Sequence, residues 1–263
     1  VLSFIEKKLT FKPDALDHGG LSKLPHERVR FGHEYGLDLD GICYRGSQQI
    51  AILFIHGNRH NITKFADHYT LFSRLGVSFF AFDYPGYGTS KGEPSEAALY
   101  TSARAAFAFV STHLGFPASA IVVYGCSLGG AVASELVQHA QPAALITEST
   151  FTNSKAIARH LYPLLPLWTL TPNRFRNDER FARLTLPTMV IHGDRDTVVP
   201  VRMAHELFAR LQSPKKLSII EGADHVNSIA VGAHQLRDEI STFLESHGLH
   251  YPPPSDSTPE TRT

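Results

Sequence analysis

Cysteine is scarce in this chain of 263 residues: Cys43 and Cys126 are its only two. They stand far apart and no metal-ligand spacing links them, so a disulfide framework is not expected and a reducing compartment is favoured. Charge of one sign is lacking too. Lys+Arg and Asp+Glu each number 25, which leaves no electrostatic footprint for nucleic acid or an acidic membrane. No apolar run is long enough to span a bilayer, and no internal repeat is visible. What is present is a hydrophobic share of 43%, enough at this length for one sizeable core.

The first residue is Val1, not a methionine. Membrane association through a segment ahead of it is therefore kept as an expectation, with a cytoplasmic or peripheral-membrane location to match. Residues 1–27 read as a lead segment. Residues 249–263, rich in Pro, Ser and Thr, read as a disordered tail.

Between these ends the pattern alternates. Arg28 to Glu34 and Leu37 to Tyr44 read as two short antiparallel strands. Ile50 to Ile55, Val77 to Phe82, Ala143 to Ile146 and the runs at 188–191 and 217–220 are unbroken apolar stretches, as in strands covered on both faces. Asn61 heads a helix with Ile62, Phe65, Tyr69 and Phe72 on one face; Ser95 heads a longer one that Gly115 stops. Helices near 201–212 and 228–246 complete the alternation, which predicts an α/β fold: a mostly parallel twisted sheet with helices on both faces. Residues 28–148 and 187–248 form this core. The stretch 149–186 breaks the pattern: its prolines prevent a long helix, and Leu161-Tyr162-Pro163-Leu164-Leu165-Pro166-Leu167-Trp168 is too apolar for an idle loop. It reads as a small cap between the strands near 146 and 188.

One stretch concentrates the chemistry. The β-branched run Ile121-Val122-Val123 meets Gly125-Cys126-Ser127-Leu128-Gly129 and passes at once into a helical pattern. A serine in so tight a strand-to-helix turn is held in a strained conformation with its hydroxyl clear of the sheet, and the helix amides face it. A serine hydroxyl becomes a nucleophile only when a base takes its proton, and the base needs a carboxylate to hold its tautomer. His192-Gly193-Asp194-Arg195-Asp196 follows one later strand, and Gly222-Ala223-Asp224-His225 follows the last. Strand ends share one edge of an open parallel sheet, so Ser127, an aspartate and His225 can converge there. Asp194 and, at another strand end, Glu148 stand as alternatives to Asp196. Cys126 precedes the apex of the turn and points into the body. His56 and His60 are four apart, but Gly57 denies them a shared helix face. No metal and no cofactor are expected.

With His56-Gly57-Asn58 and Asp83-Tyr84-Pro85-Gly86-Tyr87-Gly88, these motifs appear in an order that resembles the α/β-hydrolase superfamily over about residues 28 to 247. His-Gly-Asn, Gly-Tyr-Gly-x-Ser and Glu148-Ser149-Thr150-Phe151-Thr152 look most like its compact bud-emergence type, a group that includes protein depalmitoylases. The resemblance implies the α/β-hydrolase fold, with Ser127 as nucleophile, Asp196 as acid, His225 as base, and the backbone amides of Asn58 and Leu128 as the oxyanion hole. The acid three residues after the glycine is Asp196, not Asp194. The implied activity is hydrolysis of carboxylic esters or thioesters through an acyl-enzyme. Tyr84, Leu164, Leu165 and Trp168 are expected to line a pocket for an apolar acyl substrate. A serine peptidase of the same fold and a silent binding module are the competing readings, since fold alone does not establish function.

Overall fold

The computed structural model describes residues 10–22, 24–164 and 173–249. Among them the apolar runs become strands of one sheet: β1 (Glu27–Phe31), β2 (Leu39–Tyr44), β3 (Ala51–Ile55), β4 (Ser78–Phe82), β5 (Ile121–Cys126), β6 (Ala144–Glu148), β7 (Thr188–Gly193) and β8 (Lys215–Ile220). The order across the sheet is β1-β2-β4-β3-β5-β6-β7-β8. The pairs β1–β2 and β2–β4 are antiparallel and the remaining pairs are parallel. The expected mostly parallel α/β sheet is what the chain forms.

Side chains alternate along each central strand, and this divides the core into two layers. Ala51, Leu53, Ile55, Ile121 and Val123 face one side, where α2 (Glu96–Thr112), α3 (Leu128–Leu136) and α6 (Val201–Arg210) cover them. Ile52, Phe54, Val122 and Tyr124 face the other side, covered by α1 (Ala66–Arg74) and α7 (Ser228–Ser246). Burial on both faces explains why these strands read as continuous apolar runs rather than alternating ones. No helix of the described residues is long and apolar enough to cross a membrane.

The helix expected from Asn61 is broken in two. Asn61 caps a 3₁₀ turn, Ile62–Lys64, by accepting from the Thr63 amide; Phe65 then leaves the helical region and α1 begins at Ala66. The Ile62 amide donates to Asp83 Oδ1 at 2.8 Å, and the Thr63 carbonyl accepts from the Gly20 amide at 2.8 Å. Backbone groups that a helix would pair internally are committed to other segments. Ser95, by contrast, heads α2 as expected and accepts from the Ala98 amide at 3.1 Å.

Residues 10–22 of the lead segment lie along the loops at the carboxyl edge of the sheet. Lys12 forms a parallel β-bridge with Arg59, the Gly88 amide donates to the Asp14 carbonyl at 2.9 Å, and Phe11 and Leu21 are buried. Residues 149–186 divide in character. Helix α4 (Ser154–Leu161) has no buried residue, whereas Phe175, Phe181 and Leu184, the last two in and just after α5 (Asn177–Phe181), are sunk in the core layer beneath α3 and α6. The stretch expected as a small cap thus holds a half-buried helix, with Ala156 and Ile157 against the core, followed by a segment that packs as core. Residues 165–172, with Leu165 and Trp168, and the tail from residue 250 lie outside the described residues.

Candidate active site

Ser127 occupies the single residue between β5 and α3, with φ 53° and ψ −115°. A non-glycine residue in this region costs about 1–3 kcal/mol and persists only where its surroundings over-determine it. Here three bonds do so. The Ser127 amide donates to the Glu148 carbonyl at 2.8 Å, and the Ser127 carbonyl accepts from the Gly130 amide at 3.0 Å and from Thr150 Oγ1 at 2.8 Å. Two glycines make the turn possible: a Cβ on Gly125 would sit 2.4 Å from the Gly129 carbonyl oxygen, and one on Gly129 would sit 1.9 Å from that of Ile55. Glycine is required there because the backbones touch.

The hydroxyl that this turn presents meets an imidazole. His225 Nε2 lies 3.1 Å from Ser127 Oγ, and His225 Nδ1 lies 2.7 Å from Asp196 Oδ2. His225 is partly exposed while the Asp196 carboxylate is buried. The other carboxylate oxygen, Oδ1, accepts from the amides of Val198 at 2.9 Å and Val199 at 2.8 Å. His192 Nε2 donates to the Val199 carbonyl at 2.7 Å and passes Asp196 Oδ2 at 3.2 Å, so the carboxylate receives the weaker share of that proton. Burial alone would raise the Asp196 pKa, but hydrogen bonds from His192 and His225, the charge of His225 and the Val199 amide outweigh it and hold the group well below the usual carboxylate range. An anion fixed in this way selects the tautomer with the proton on Nδ1, leaving the Nε2 lone pair for the serine proton.

The alternative acids are placed elsewhere. Asp194 is exposed and accepts from the Gly222 amide at 2.7 Å. Glu148 is buried, and its Oε2 accepts from His68 Nε2 and Tyr124 Oη, both at 2.7 Å. Its burial would raise the pKa, but the charge and hydrogen bond of His68, with Tyr124 and Ser228, bring it down to about 2. The Cys126 thiol is buried as expected, and that burial, with the charges of Glu148 and Asp196, pushes its pKa well up. It remains a thiol and an inert packing group.

Gly57 lies directly against the serine: a Cβ there would come 3.3 Å from Ser127 Cβ. The next residue, Asn58, is locked by Tyr87, whose hydroxyl donates to the Asn58 carbonyl at 2.9 Å, and its Oδ1 accepts from the Lys12 amide at 3.3 Å. Leu128 is the first residue of α3, so its amide is among the donors a helix leaves unpaired at its start. His56 is buried against the same turn, with Nδ1 2.8 Å from the Gly57 carbonyl and Nε2 3.4 Å from Asp83 Oδ1, whereas His60 turns to Asp14.

Tyr84, expected to line the pocket, does not. It is fully buried, packs its ring 4.4 Å from that of His56, and spends its hydroxyl on the His56 carbonyl at 2.9 Å. Its place at a strand end faces inward, so it buttresses the turn before Asn58. Leu164 is 92% exposed. Two exposed apolar side chains that the sequence did not single out adjoin the line in the chain: Val226, 84% exposed, follows His225, and Val198 lies two residues after Asp196. Helix α4 reaches the loop after Asp196 through His160, whose Nε2 lies 2.9 Å from the Thr197 carbonyl.

Thr150 and Asn177 also escaped the sequence. Asn177 is buried, where it receives a hydrogen bond from Ser134 Oγ at 2.6 Å and donates to the Phe151 carbonyl at 2.7 Å, tying α3 to the strand end beside the serine. Thr150 stood in the Glu148–Thr152 motif without a role, and Gly130, where a Cβ would sit 2.6 Å from Thr150 Oγ1, is a further signal of its closeness to the turn.

Comparison with known proteins agrees with this fold. A profile described as alpha/beta hydrolase family matches residues 52–169, and one described as serine aminopeptidase S33 matches residues 176–227. An uncharacterised protein of Mycobacterium tuberculosis is 34% identical over 199 residues, 76% of this chain and 71% of that one. The human alpha/beta hydrolase domain-containing protein 17B is 32% identical over 175 residues, 66% of this chain and 59% of its own length. Among solved structures, an esterase from Pyrococcus furiosus superposes with a TM-score of 0.75 at 18% identity, covering 91% of this chain and 98% of the esterase. A thermophilic esterase from Thermogutta terrifontis superposes with a TM-score of 0.64 at 16% identity, covering 84% and 99%. At these identities the two superpositions speak for the fold.

Proposed function

The chain belongs to the α/β-hydrolase superfamily, and we propose that it is a serine hydrolase cleaving carboxylic esters or thioesters through an acyl-enzyme on Ser127. One observation carries the reading: the unbroken line from Ser127 Oγ through His225 to Asp196, at 3.1 and 2.7 Å.

In the first half-reaction Ser127 Oγ attacks the acyl carbonyl carbon while His225 Nε2 takes the hydroxyl proton. The imidazolium that forms faces an ionised, buried Asp196, which stabilises it without accepting the proton. The carbonyl oxygen becomes an oxyanion, and the amides of Asn58 and Leu128 are the donors we assign to it; such donors are worth about 10²–10³ in rate each. His225 then protonates the departing alkoxide or thiolate. In the second half-reaction it deprotonates a water that attacks the acyl-enzyme and regenerates Ser127.

An apolar acyl group fits the exposed Val198 and Val226 flanking the acid and base, together with Leu161, Tyr162 and Leu164 at the end of α4. The match of residues 176–227 to a serine aminopeptidase profile favours a second reading, peptide hydrolysis with the same serine. Purified protein tested on acyl esters, acyl thioesters and aminoacyl anilides separates the two. Ester and thioester turnover lost in Ser127→Ala supports the proposal. Full ester turnover in that variant, or turnover of anilides alone, overturns it.

A further inference from the structure

We propose that Asp14, His18 and His60 form a zinc-binding site that pins the lead segment to the turn carrying Asn58. The geometry joins three ligand atoms from two stretches 46 residues apart. Asp14 Oδ2 lies 3.3 Å from His18 Nε2 and 3.1 Å from His60 Nδ1. All three donor groups fall within 4.8 Å of one another, and the two rings stand edge to face with centroids 4.8 Å apart. Zinc at about 2.0–2.1 Å from each of four tetrahedral ligands holds neighbouring ligand atoms roughly 3.3 Å apart. Two of the three separations already have that value, and rotation of two partly exposed rings closes the third.

The donor chemistry selects the ion. Two imidazole nitrogens and one carboxylate suit zinc, whereas magnesium and calcium take oxygen ligands. A second tier of contacts supports the ligands, as metal sites require. Asp14 Oδ1 accepts from the Leu16 amide at 3.0 Å and from Asn61 Nδ2 at 3.2 Å and lies 3.2 Å from His18 Nε2, while Oδ2 lies near both rings. The His18 amide donates to Thr63 Oγ1 at 2.9 Å, and Asn61 Nδ2 also reaches the Leu16 carbonyl at 2.9 Å. Both sides of the site are thus fixed before any ion arrives. A part-exposed rim leaves the fourth position to water.

The site has a mechanical consequence. His60 is two residues beyond Asn58, and Lys12, two before Asp14, bonds Asn58 Oδ1 through its amide. An ion held by Asp14, His18 and His60 joins the two strands of this contact and stiffens the turn from both ends. It needs no part in acyl chemistry, so it stands or falls separately from the hydrolase reading.

Calorimetric titration of the metal-stripped chain with zinc chloride tests the proposal. The expected result is one equivalent bound, with a thermal midpoint that rises as zinc is added. His18→Gln and His60→Asn should each weaken binding at least as much as the ~10–100-fold lost with a second-tier partner. Asparagine at residue 60 suits its φ of 66°, so the turn keeps its shape. His139→Ala, an exposed histidine after α3, should bind zinc like the parent. Undiminished zinc affinity in the double variant His18→Gln/His60→Asn, displacement of zinc by magnesium, or no binding tighter than millimolar would each overturn it.

Discussion

Thr150 donates its hydroxyl proton to the carbonyl oxygen of Ser127 at 2.8 Å, so the strained residue is held by the segment after β6 as well as by the Gly130 amide of its own turn. Part of the restraint comes from a distant part of the chain. Thr150→Val keeps the shape and removes the donor. A stability loss of about 1 kcal/mol is expected, with kcat falling about tenfold and KM little changed, as read from steady-state kinetics beside a denaturant titration.

Ser127→Ala should lower kcat by roughly 10⁶. Ser127→Gly removes the same hydroxyl but tolerates φ 53° without strain. The glycine variant should therefore unfold at a higher temperature than the alanine variant. The margin is about 1 kcal/mol, what remains of the strain after glycine's extra unfolded-state entropy. Equal midpoints would mean that the backbone at residue 127 stores no energy.

The two aspartates after β7 give opposite expectations. Asp196→Asn turns the imidazole to the wrong tautomer and should cost about 10⁴ in kcat. Asp194→Asn, whose partner is the Gly222 amide, should leave turnover within a few-fold. Ester hydrolysis by the two purified variants decides which carboxylate orients His225.

Glu148 makes acid stability depend on a group outside the line we propose as catalytic. Its pKa is lowered from 4.5 to about 2 in the folded chain, so its ionised form adds stability that is fully present above about pH 4.5 and lost as pH falls toward 2. A gap of this size amounts to about 3 kcal/mol. Glu148→Gln should be much less stable than the parent at pH 7, because it leaves His68 without its anion. The difference should shrink steadily in urea titrations taken from pH 4.5 downward. A constant difference across that range would show that Glu148 is not held ionised in the folded chain.

Val226 and Leu164 are exposed enough that Val226→Asp and Leu164→Asp should change stability by less than about 0.5 kcal/mol. On our reading they flank the acyl group, and kcat/KM for long acyl chains should drop about tenfold relative to short ones. An unchanged chain-length profile in both variants would remove this rim from substrate binding.

Ser127, Asp196 and His225 were legible because each sits just past an apolar strand, and parallel strands deliver their carboxyl ends to one edge whatever their side chains do. The strands themselves were legible because burial on both faces leaves an unbroken apolar run. Tyr84 was misplaced for the complementary reason. A residue after a strand can face outward or inward, and only the neighbours His56 and Tyr87 turn its ring into the core. The helix from Asn61 was drawn too long because its periodicity records the apolar face but not the Asp83 and Gly20 contacts that claim its first backbone groups.

Local order therefore settled the fold, the tight turn at Ser127 and the arrival of Asp196 and His225 at the same sheet edge, since strand burial, glycine at backbone contacts and chain direction are all written in short stretches. Tertiary structure alone decided that Thr150 restrains Ser127, that Glu148 turns away to His68, and that Asp14 and His18 meet His60. Those pairings join residues from 23 to 80 positions apart, and no local pattern encodes a contact that exists only once the sheet has brought its loops together.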